Sequence, residues 1–114
     1  MASLLARVRL LDGGALDATT AFALGTASAA SILGLDAGRI TAGALADFVA
    51  VDLGHPSLHP PTDLLRSVVY AMSPQAVTDV WVHGARVVDG GRLARVDERA
   101  LVARVSALTR DWRL

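Results

Sequence analysis

The sequence predicts an α/β chain whose sheet is unfinished. Three observations lead there. Apolar residues fill 53% of the 114 positions, which excludes disorder and allows one modest core. Helical patterns come first, and the short β-branched runs follow without the regular alternation of a doubly wound fold. Those runs supply only about three or four strands, and so small a sheet has open edges that need cover.

Leu4, Leu5, Val8 and Leu11 share one face at helical spacing, with Arg7 and Arg9 off it. Asp12-Gly13-Gly14 stops that helix. Asp17 is placed to cap a second helix running to Leu24, and Thr26 to cap a third running to Leu33, with Gly34 closing it. Ala21, Gly25, Ala29 and Ala30 allow these helices to approach closely.

Gly38 and Gly43 bracket a turn. Phe48-Val49-Ala50-Val51 then reads as a strand buried on both faces, with Asp47 and Asp52 at its ends. The loop GHPSLHPP is stiffened by its three prolines. Leu64, Leu65, Val68, Val69 and Met72 form the next helix face. Val77 to His83 and Arg86 to Val88 read as a hairpin, with Gly84-Ala85 as its two-residue turn. Asp89-Gly90-Gly91 turns the chain again. Asp97 caps a last helix lined by Leu101, Val105, Leu108 and Trp112.

Composition narrows the function. Net charge is zero, and the eleven basic residues, all Arg, are scattered. Neither a nucleic-acid partner nor an anionic membrane is expected, since both need a basic face. Without Cys there is no disulfide, thiolate metal site or Cys nucleophile. The first residues, MASLLARVRL, lack the pattern of a signal peptide. The uncharged run Ala18 to Leu35 is at the lower length limit for a membrane span, but its threonines, serines and glycines favour a buried helix pair. A cytoplasmic location is the expectation.

No self-contained active site emerges. His55 and His59 have the i,i+4 spacing of helix-borne metal ligands, yet Pro56 and Pro60 argue against a helix there. His83 falls at a hairpin turn, where a solvated or turn-bonding His is the ordinary case. The carboxylates sit mostly at turns and helix starts, where they bond the local backbone. There is no G-x-S-x-G and no phosphate-binding loop. No residue is therefore assigned a catalytic, cofactor-binding or metal-ligating role.

Three segments together resemble the C-terminal end of the amidohydrolase superfamily. The likeness is to its cytosine deaminase-like branch, which includes triazine hydrolases and S-adenosylhomocysteine deaminases. The first segment is GTASAASILGLDAGRITAGALADFVAVDL, with matches at Thr26, Ala30, Leu33, Gly34, Leu35, Gly38, Gly43, Ala46, Asp47, Val49, Val51 and Asp52. The second is DLLRSVVYAMSPQAVTDVWVHGARVVDGGRL, with matches at Val69, Tyr70, Val77, Val80, Val82, Gly84, Val87, Val88, Asp89 and Gly90. The third is the terminal helix after Val96-Asp97. Gly25, Ala29 and Ala44 depart from the pattern, all at structural positions.

The resemblance implies a parent enzyme with a (β/α)8 barrel and a small β-sandwich built from both ends of the full chain. It implies a divalent metal, Zn or Fe, that activates water for attack on a carbon bearing a nitrogen or halide leaving group. The family's metal ligands all lie upstream of the matched region, so none maps onto this sequence. Residues 1–36 would be terminal barrel-packing helices, 37–96 sandwich strands with an intervening helix, and 97–114 a C-terminal helix. Met1 would then fall inside the ancestral reading frame.

Three functional readings follow. In the first, the chain is the C-terminal part of a metal-dependent hydrolase of non-peptide C–N bonds in small molecules or heterocycles, inactive alone. Its partner is then the N-terminal part of the enzyme. In the second, it is a non-catalytic module that dimerises or binds another protein through its open edges. In the third, it is a small enzyme using His55, His59 and nearby carboxylates. The substrate is beyond reach of this region, because specificity resides in barrel loops.

Overall fold

The computed structural model describes residues 2–112. Met1, Arg113 and Leu114, the outer positions of the first and last expected units, lie outside the described residues. Helices α1 (Ala2–Leu10), α2 (Ala18–Gly25) and α3 (Ala27–Ile32) come first. Strand β1 (Phe48–Val51) follows, then a 3-10 turn (Pro56–Leu58), α4 (Leu64–Tyr70) and a second 3-10 turn (Pro74–Ala76). The chain continues through β2 (Val77–Val82), β3 (Ala85–Asp89), β4 (Arg92–Leu93) and α5 (Glu98–Leu108).

Short carboxylates set the helix starts. Asp17, Asp63 and Asp97 each accept the N–H three residues on, from Thr20, Arg66 and Ala100 at 2.8, 3.0 and 3.0 Å. Thr26 departs from expectation. Its hydroxyl donates back to the Phe22 carbonyl at 2.8 Å, so α3 starts without a side-chain cap. At the far end of α3, Gly34 has φ +66. Leu35 N–H reaches Ala30 O at 2.9 Å and Gly34 N–H reaches Ser31 O at 3.1 Å, which together make a Schellman closure.

The sheet is an antiparallel meander in the order β1-β2-β3-β4. Register places Val49, Val80, Val88 and Leu93 side by side across all four strands, forming an aliphatic face. The opposite face carries Phe48, Trp81 and Arg86 in another row. Phe48 and Trp81 stack at 4.6 Å between centroids, and the Arg86 guanidinium lies 5.6 Å from the Trp81 ring.

Several expectations need correction. β1 is not buried on both faces, since Phe48 and Val49 are 38% and 53% exposed. The β2–β3 turn lies one residue earlier than expected. Val82 pairs with Ala85, and the central residues His83 and Gly84 both have positive φ, at 49° and 74°. That is the pattern of a type I′ turn, whose twist suits a hairpin. Helix α4 ends at Tyr70, so Met72 lies beyond it. β4 was not foreseen; it pairs with β3 through the Gly90-Gly91 turn. The proline loop also buries Leu58 to 1% exposure, the deepest large side chain among the described residues.

The buried core is thin. Besides Leu58 it consists of Ala18, Ala30, Ala37 and Ala76. The expected apolar faces of α1 and α5 both stand in solvent, as at Val8 and Leu108, and Leu11 and Trp112, expected on those faces, lie beyond the helix ends. The radius of gyration is 17.9 Å, against about 13 Å for a compact domain of this length. No helix among the described residues is long and apolar enough to cross a membrane.

Candidate functional site

The three histidines do not converge on a catalytic centre. His55 starts the first 3-10 turn, where its Nδ1 accepts the Ser57 N–H at 3.2 Å and lies 2.9 Å from Ser57 Oγ. Ser57 Oγ in turn accepts the Ser73 N–H at 3.0 Å, tying this loop to the approach of β2. His59 is exposed just after the turn, and His83 is exposed at the β2–β3 tip. Among the described residues no group of three or more His, Asp or Glu is placed to hold a metal ion. One imidazole nitrogen already committed to a serine, with no cluster of three ligand donors among the described residues, does not fit a metal centre.

The remaining polar clusters join pieces of backbone. Asp47 Oδ1 accepts the His83 N–H at 2.6 Å, and Ala46 O accepts the Gly84 N–H at 2.9 Å. The residues before β1 therefore clasp the hairpin tip. Asp52 closes the other end of β1, accepting the Gly54 N–H at 2.8 Å. Asp79 accepts Arg86 Nε at 3.0 Å and the Gly90 N–H at 3.2 Å, and Arg86 also pairs with Asp89 at 2.9 Å. The Arg86 guanidinium, then bonds from Thr78 and Gly90, hold the Asp79 carboxyl below its ordinary range.

One further cluster connects α1 and the residues before α2 to the end of α4. Arg7 donates to the Tyr70 hydroxyl at 2.5 Å and lies 4.7 Å from the centre of that ring. Tyr70 donates to Leu16 O at 3.4 Å. Sequence reading missed this link, because nothing local marks a pair 63 positions apart. Asp63 was not read as a cap either, although a short acidic residue directly before an apolar helix run is the signal for one.

Apart from an open cleft lined by Arg7, Asp17 and Asp63, these contacts frame a surface. Its apolar parts are the aliphatic sheet face, where Val49, Val82 and Leu93 are 53%, 44% and 45% exposed, and the bare faces of α1 and α5. The two sheet edges differ. β4 is two residues long, and Glu98 Oε1 accepts the Leu93 N–H at 3.3 Å. β1 is the other edge of the four-stranded sheet.

The amidohydrolase family model matches residues 1–87, and the chain belongs to that family. Two similar proteins are the 5-methylthioadenosine/S-adenosylhomocysteine deaminases of Bacillus thuringiensis and Bacillus anthracis. Each is 35% identical over 101 residues, which are 87% of this chain and 23% of the relative. Among solved structures, a zinc-bound adenosine deaminase from Xanthomonas campestris is 36% identical with a TM-score of 0.88. That match covers 96% of this chain and 25% of the other. An atrazine chlorohydrolase from Arthrobacter aurescens, solved with zinc and atraton, shares the fold at 24% identity and a TM-score of 0.77. Here 91% of this chain and 24% of the other are covered. The chain thus spans about a quarter of the length of the relatives it matches.

Proposed function

We propose that this chain is the C-terminal part of a metal-dependent amidohydrolase that cleaves non-peptide C–N bonds of small molecules, as a deaminase does. Residues 1–36 are its terminal barrel-packing helices, 37–96 the C-terminal half of its β-sandwich with an intervening helix, and 97–114 its closing helix. The chain alone is inactive. Its histidines and carboxylates do not fit a metal site, so the ligands and the substrate pocket come from the rest of the polypeptide. A cytoplasmic location accompanies this reading.

The observation that carries it is the amount of uncovered surface, with large apolar side chains standing in it. A compact chain of this mass exposes roughly 6,000 Å², whereas this one exposes 8852 Å². The excess, roughly 2,900 Å², far exceeds the ~800 Å² that each partner covers in a standard interface. Even an obligate homodimer interface, roughly 1,000–2,500 Å² a side, would leave part of it bare. The remaining three quarters of a relative-sized enzyme is a cover of the right scale.

The sheet supports the same reading. An aliphatic row across four strands suits a second sheet stacked about 10 Å away. The blocked β4 edge directs further strands to β1.

The test compares the whole polypeptide with residues 1–114 alone. Each is supplied with zinc and assayed for ammonia release from 5′-methylthioadenosine, S-adenosylhomocysteine, adenosine and a panel of aminated heterocycles. Release by the whole polypeptide only is expected. Turnover by residues 1–114 alone would overturn the assignment, as would a whole polypeptide inert on every amine offered.

A further inference from the structure

We draw no further inference here: the strongest candidate, the exposed apolar face that Leu101, Val105 and Leu108 form on α5, carries nothing, because nothing in the structure shows what covers it.

Discussion

Asp47 Oδ1 accepts the backbone N–H of His83 at 2.6 Å across 36 residues of sequence. The bond fastens the entry of β1 to the tip of the β2–β3 hairpin, and the neighbouring Ala46–Gly84 backbone bond doubles it. A carboxylate bonded to an N–H contributes more than a neutral acceptor, though exposure to water reduces the gain. Asp47→Ala should lower stability by about 1 kcal/mol, read as a lower urea midpoint of the polypeptide. An unchanged midpoint would show that the backbone bond alone sets the tip.

His83 holds φ +49, a conformation that costs an ordinary L-residue roughly 1 kcal/mol. Asn tolerates it better and is favoured before Gly in type I′ turns. The Asp47 bond uses the main chain of His83, so changing the side chain leaves it intact. His83→Asn should therefore stabilise by about 0.5–1 kcal/mol. Lower stability would assign the imidazole a structural contact of its own.

Gly38 and Gly43 both have positive φ but differ in surroundings. A Cβ on Gly38 would lie 2.6 Å from the carbonyl carbon and oxygen of Thr26. One on Gly43 meets nothing within 4 Å. Gly43→Ala should cost about 1 kcal/mol from backbone conformation alone. Gly38→Ala adds a main-chain clash and should cost several times as much. Equal midpoints for the two variants would mean that the turn does not pack against the α2–α3 junction.

Asp79 gives the sheet an acid-sensitive contact. Its carboxyl lies below the ordinary value of 3.8, chiefly through Arg86. The folded chain therefore binds fewer protons at this group than the unfolded chain. The stabilisation is fully present above that ordinary value, and it disappears as pH falls through the lowered one. Asp79→Asn should flatten the loss of stability below about pH 4. Unfolding curves at descending pH test this; identical acid slopes for variant and parent would contradict it.

Much of the fold was legible because its signals are local. Asp17 and Asp97 stand where an acceptor is needed for the first free helix N–H groups, and Gly34 where a left-handed residue closes α3. What escaped depends on distant partners. The β2–β3 turn was placed one residue late, since the Gly84-Ala85 reading put no residue other than Gly at positive φ. Leu58 read as loop because its burial depends on surrounding elements. β1 read as buried on both faces because FVAV records the environment that its sequence suits, and the described residues supply only part of that cover. The absence of a catalytic set in the sequence reading has the same origin. The chain shows how its surface is built, and on the proposed reading the chemistry lies in the rest of the polypeptide.

The most direct measurement is the mass of the native polypeptide carrying this sequence, probed in its source cells with an antibody to the Asp97–Trp112 segment. A band several-fold larger than 11.9 kDa is the expected result, since the proposal assigns the cover of this bare surface to the rest of an amidohydrolase. A band at 11.9 kDa would contradict the proposal, and the cover would then have to come from another chain.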